Sequence, residues 1–120
     1  DDPIYNTRFV VEGIGIISIP DAPIEWGAAA LPVFECESHW RTEAVGALGE
    51  LGIAQIHPIH FGGMRQAGLD PFYEPDRLQY AYWLYAWRGN WGAWACSPSA
   101  GSGVSGNDAG IEQYERWWEN

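Results

Sequence analysis

Three glycines at every third position, Gly46, Gly49 and Gly52, interrupt the middle of this 120-residue chain. An interior glycine costs a helix or strand about 0.5–1 kcal/mol. Three of them among small residues therefore read residues 42–56 as loop and turn, with room for a short β-ribbon. Regular structure must lie on either side. Before the turn, Asp21 reads as an N-cap with Pro23 in the first turn and Glu25 close behind, opening a helix through Ala28–Ala30 to about Ser38. Pro32 inside it implies one kinked helix, or else two short ones. After the turn, His57 to Gly68 reads as a short helix. Pro75 opens a clearer one over about 76–88, closed by Gly89. On that helix Leu78, Ala81, Tyr82 and Tyr85 recur at i, i+3, i+4 and i+7, an amphipathic stripe.

The ends read differently. Residues 1–20 carry Phe9, Val10, Val11, Ile14, Ile16, Ile17 and Ile19 around Gly13 and Gly15. They are expected to form an extended arm or a short hairpin. Residues 97–107 are Gly/Ser-rich and read as a linker, and 108–120 as an acidic helix presenting Tyr114, Trp117 and Trp118. The sum is an α+β, predominantly α domain whose body spans 21–96. A chain this long buries about two-thirds of its unfolded surface, enough for one core. Opening on Asp1 rather than Met, it is expected to have lost an upstream segment.

Charge excludes some classes of function. Sixteen acids face six bases, a net charge of −10, and all six bases are Arg. Nucleic-acid affinity rests on clustered Lys and Arg that neutralise phosphates, so no nucleic-acid partner is expected. Anionic membrane surfaces are disfavoured for the same reason. No stretch approaches the roughly 20 apolar residues of a transmembrane segment. The two cysteines, Cys36 and Cys96, permit one bridge or two free thiols. A bridge over that span would contribute about 3–4 kcal/mol and imply an oxidising compartment.

The block from Phe34 to Ile56 carries the chemistry. A helix delivers Glu37-Ser38, Ala44-Val45 follows, and then Gly49-Glu50-Leu51-Gly52-Ile53-Ala54-Gln55-Ile56-His57-Pro58. This order resembles the lysozyme-like superfamily, specifically its Slt-type lytic transglycosylase and goose-type lysozyme branch. Downstream, Leu84-Tyr85-Ala86, Gly89, Trp91, Trp94 and Cys96 are similar to the ending of actinobacterial and phage members. The resemblance spans about residues 24–96 and implies a lysozyme-like catalytic domain. In such members a Cys just before the Glu-Ser pair bonds to the final Cys, so it implies a Cys36–Cys96 disulfide.

It also implies a muramidase: cleavage of the β-1,4 bond between N-acetylmuramic acid and N-acetylglucosamine in peptidoglycan, without cofactor or metal. The bond needs an acid that still carries its proton near neutral pH. An ordinary Glu, with a pKa of about 4.3, does not. Burial against apolar neighbours raises that value; Phe34, Trp40, Ile53 and Ile56 are the candidates to wall in Glu37. In Slt-type enzymes a single Glu acts as acid and then as base toward the sugar's own 6-hydroxyl, leaving a 1,6-anhydro end. Hydrolytic relatives add a second carboxylate for water, for which Glu50 is the first candidate and Glu43 the second. By resemblance Ser38, Gln55 and Ile56 bind substrate, and Tyr85 and Tyr82 approach Glu37 across the cleft. Three departures stand out: Ala54 for the usual Met, Arg77-Leu78 for Asn-Ile, and His57 where goose-type enzymes carry an acid. The expected setting is extracellular, in the cell envelope or periplasm, or on a virion, and the expected state a monomer.

Two other readings compete. One is a glycan-binding or structural domain that keeps the fold without turnover; the net charge of −10 favours it, since bacterial walls are anionic. The other is a metal-dependent amidase or peptidase using His57 and His60, although that pair brings no third-ligand pattern and no HExxH. Of the aromatic residues, Trp83 and Trp87 are expected to serve the core or a subunit contact. Trp91 and Trp94 are expected to brace the disulfide beneath the cleft. Trp117-Trp118 would contact a partner or dock the tail on its own domain.

Overall fold

Alternation builds the first element. A computed structural model of the chain describes residues 6–96. In it β1 (Asn6–Val11) buries Thr7, Phe9 and Val11 and exposes Arg8 and Val10. β2 (Gly15–Pro23) pairs antiparallel with it, Phe9 opposite Ile17 and Thr7 opposite Ile19. Successive side chains on a strand face opposite sides, so Phe9, Val11, Ile17 and Ile19 form one apolar face that enters the core. The segment expected to be extended is thus a hairpin, and its second strand runs past the boundary set at residue 20.

α1 (Ile24–Ser38) follows directly. The expected cap at Asp21 is corrected: Ala22 is fully buried as part of the strand, so the helix starts only after extended Pro23 and has no side-chain cap. The Asp21 carboxylate instead accepts from Gln79 Nε2 (2.9 Å) and Trp83 Nε1 (2.7 Å). The helix runs unbroken through Pro32. The donor that Pro32 lacks would have met the carbonyl of residue 28, and Ala28 is exposed, so water can serve that oxygen.

Beyond α1 the chain makes the expected glycine-punctuated turn, with isolated β-bridges pairing Val45 with Leu51 and Leu51 with Ile56. A 3-10 turn at Pro58–His60 leads into α2 (Phe61–Gln66), which buries Met64. α3 (Glu74–Arg88) has Pro75 in its first turn and left-handed Gly89 at its C-cap, whose N–H reaches the Tyr85 carbonyl at 2.7 Å. Leu78 and Ala81 are buried, and Tyr82 and Tyr85 partly so. Trp83 and Trp87 are not core residues, being 36% and 50% exposed. At 100° per residue they lie about 140° and 180° around the helix from Leu78, off the buried stripe.

The result is a small α+β domain of three α-helices and a two-stranded antiparallel sheet. Its centre is aromatic. Trp26 stacks on Trp91 (5.7 Å, 9° between planes), and Phe34 meets Trp26, Trp40, Trp91 and Trp94 at 5.6–6.2 Å. This cluster fastens the chain after α3 to the flank of α1. Among the described residues no helix is long and apolar enough to cross a membrane. The expected linker 97–107 and helix 108–120, with Trp117 and Trp118, lie outside the described residues.

Candidate functional site

Glu37 lies on the last turn of α1, partly buried. Its Oε2 accepts the backbone N–H of Cys96 at 3.0 Å. The residue before it in the helix is bonded to that same Cys96: the Cys36–Cys96 disulfide is formed, with Cα atoms 5.9 Å apart and a sequence separation of 60. The pairing implied by resemblance is present. Burial holds Glu37's carboxyl above its ordinary value of 4.5, and the charge of Glu50 pushes the same way. The N–H groups of Cys96 and Ala95 pull it down without cancelling burial. The C-terminal end of a helix is its negative pole, which further disfavours a carboxylate there.

Glu50 comes from the glycine turn and is 2% exposed. Its Oε1 accepts from the Leu48 N–H at 2.9 Å, whereas Oε2 has no hydrogen-bond partner among the described residues. A Cβ on Gly46 would collide with Glu50 Oε1 and Gln55 Oε1, so glycine at 46 is what allows those side chains to sit together. The turn therefore brings one buried carboxylate within electrostatic reach of Glu37. Glu43, the other candidate, is exposed.

Other expected site residues face inward. Ser38 is buried, and its hydroxyl lies 2.7 Å from the Ile53 carbonyl and 3.2 Å from that of Phe34. It ties α1 to the turn and offers no surface to a ligand. Ile56, 2% exposed, is likewise a core residue. Both side chains, expected to bind substrate, are placed in the core, where the motif's apolar half packs beneath its polar half. Gln55 is partly exposed, with Nε2 donating to the carbonyls of Gly52 (2.9 Å) and Ala44 (3.3 Å). Tyr82 packs edge-on to Trp26 at 5.3 Å, and Tyr85 lies 4.7 Å from Trp91. Phe34, Ile53 and Ile56 are core residues, and Trp40 packs against them.

Backbone strain gathers here too. Among the described residues the non-glycine positions with left-handed φ are His39 (54°), Trp40 (59°) and Gln55 (53°). Such residues cost free energy and persist only where surrounding contacts impose them, as at functional sites. Two directly follow Glu37-Ser38 and the third closes the glycine turn.

One constellation was missed by sequence reasoning. Glu74 and Arg77 on α3 form a buried ion pair at 3.0 Å. The same Glu74 oxygen also accepts from Thr42 Oγ1 (2.7 Å) and the Ile53 N–H (3.0 Å), while Arg77 Nη1 donates to the Pro71 carbonyl (2.8 Å). Gly52 (φ 79°) lies against it, and a Cβ there would strike both the guanidinium and the carboxylate. The signal available was Arg77 standing in place of the usual Asn.

Two of the three histidines are held by framework contacts. His57 Nδ1 accepts the Ile59 N–H at 3.0 Å and caps the 3-10 turn. His60 is buried, shares a 2.9 Å hydrogen bond with the Tyr80 hydroxyl, and has its pKa pushed down to about 3 by burial and then by His57. No group of three His, Cys, Asp or Glu side chains able to hold a metal gathers among the described residues. A groove of about 330 Å³ between β1 and α1 is lined by Thr7, Arg8, Phe9, Ile24 and Leu31 among others. It lies about 120° around α1 from Glu37.

No family model matches the chain, and neither a curated protein nor a solved structure does.

Proposed function

We propose that this domain is a lysozyme-like muramidase in which Glu37 protonates the leaving oxygen of the β-1,4 glycosidic bond in peptidoglycan. The observation that carries the reading is a partly buried glutamate at a helix end, held above the ordinary carboxylate value by burial and by the charge of a second, buried carboxylate. An acid in this environment keeps its proton to higher pH than a solvated glutamate, as the first step requires. As the bond breaks, positive charge develops on the sugar, and the carboxylates of Glu37 and Glu50 stabilise it. Glu37 then accepts a proton from whichever nucleophile attacks. The sugar's 6-hydroxyl gives an anhydro end; a water deprotonated by Glu37, with the Glu50 charge nearby, gives a reducing end. The disulfide fits an extracellular or envelope setting.

Mass spectrometry of purified peptidoglycan, digested by the wild type and by Glu37→Gln, tests this. Released muropeptides from the wild type alone are expected. Equal release by the Gln variant, or none by either, overturns the reading. The rival reading, a glycan-binding domain without turnover, is favoured by the net charge of −10. It predicts wall pelleting with no released fragments.

A further inference from the structure

We propose that the Cys36–Cys96 disulfide is a positioning element of the acid site, fixing where the Glu37 carboxyl sits and which backbone groups reach it. The inference rests on the reading of Glu37 as the acid.

The geometry is a clamp. Cys36 and Glu37 are neighbours on the last turn of α1. Cys96, bonded to the first, donates its N–H to the second at 3.0 Å. The segment carrying Cys96 has one other fastening close by: Trp94 is buried, with Nε1 donating to the Ala54 carbonyl at 2.9 Å. The Ala95 N–H, between the two fastenings, also acts on the Glu37 carboxyl and lowers it. The donors are thus held from both sides, by an indole in the turn and by a sulfur on the helix. Among the described residues, opening the sulfur bond leaves 95 and 96 tied on the Trp94 side, with their N–H groups released toward water.

The consequence for Glu37 follows from what remains. N–H donors favour the ionised carboxylate. Without them, burial and the like charge of Glu50, the titratable group that acts on Glu37, both favour the neutral form. A bridge that merely shortened the unfolded chain would change the melting temperature and leave the protonation of Glu37 where it was. Cys36 is exposed on α1, so a reductant can reach the bond.

The test follows the Glu37 side-chain carboxyl by carbon NMR against pH, its resonance assigned by its absence in Glu37→Gln. The forms compared are the oxidised protein, the protein reduced with a phosphine, the double variant Cys36→Ala/Cys96→Ala, and Ala95→Pro, which removes one donor with the bridge intact. A Glu50→Gln background separates the titration of that neighbour. Both opened forms are expected to titrate at higher pH than the oxidised protein, with Ala95→Pro moved the same way by less. The alkaline limb of the pH–activity profile should follow. An unchanged midpoint in folded, opened protein, judged by near-ultraviolet circular dichroism, overturns the proposal. If both opened forms unfold, Ala95→Pro decides, and an unmoved midpoint there overturns it equally. The two readings fail separately. A moved midpoint without wall cleavage sinks the muramidase and keeps the clamp, whereas cleavage lost in Glu37→Gln with an unmoved midpoint does the reverse.

Discussion

Glu37 illustrates how one side chain is set against its own solvation. Its folded value lies above 4.5, so ionising it costs the folded state something the unfolded chain does not pay. That cost is absent below pH 4.5 and complete once pH has risen through the folded value. Glu37→Gln, neutral throughout, should therefore be no less stable than the wild type at pH 7, and the comparison should shift toward the wild type on acidification. On the proposed function, peptidoglycan cleavage should fall by about 10²–10⁴-fold, the usual worth of a general acid; chemical denaturation and peptidoglycan turnover on the same samples check both halves. His60 has the opposite sign of consequence. Its folded value of about 3 lies below its ordinary 6.5, so the unfolded chain takes up a proton first. Stability should fall as pH drops from about 6.5 toward 3, by several kcal/mol at about 1.4 per unit. His60→Gln should flatten that part of the denaturation profile relative to wild type.

Between elements, the contacts that seat the glycine turn are polar and buried. Ser38 joins α1 to Ile53, and Glu74 and Arg77 join α3 to Thr42 and Ile53. Removing one partner of a buried ion pair strands the other, at about 3–5 kcal/mol. Arg77→Leu should cost that much in urea denaturation. Ser38→Ala should cost about 1–3 kcal/mol through an orphaned carbonyl. These contacts were the least legible part of the sequence. Local signals served α3 well, since Pro75, Gly89 and the Leu78–Tyr85 stripe act within one helix. They misled at Asp21, where the burial of Ala22 in the strand outweighed good capping chemistry. A Glu and an Arg three apart read as a solvated pair until the turn folds over them. The Glu37–Cys96 contact joins residues 59 apart in the chain, and neither spacing nor periodicity addresses that distance. The resemblance supplied the cysteine pairing but carried no information on which way Ser38 and Ile56 face.

For the molecule as a whole, charge and cross-link dominate. Ten uncompensated negative charges repel one another in the compact state. The melting temperature should climb between about 10 and 300 mM salt as the Debye length shortens, and a flat profile from calorimetry would show that paired geometry already absorbs the repulsion. The bridge closes a span of 60 residues and should contribute about 3–4 kcal/mol, measured as the denaturant shift on reduction.

The docking of Trp91, Trp94 and Cys96 against α1 also sets an order of events in time. A ribosome makes α1 and its glutamate well before it makes the segment whose N–H groups hold that glutamate's carboxyl. A growing chain that has emerged only as far as Arg88 has its helix but lacks the Cys96 N–H that reaches the Glu37 carboxyl. The surroundings of the proposed acid are thus completed late, after residue 96 has been made and has met sulfur with sulfur. On that proposal, oxidation is the moment of arming, and a chain stopped short of Cys96 lacks the N–H that reaches the Glu37 carboxyl.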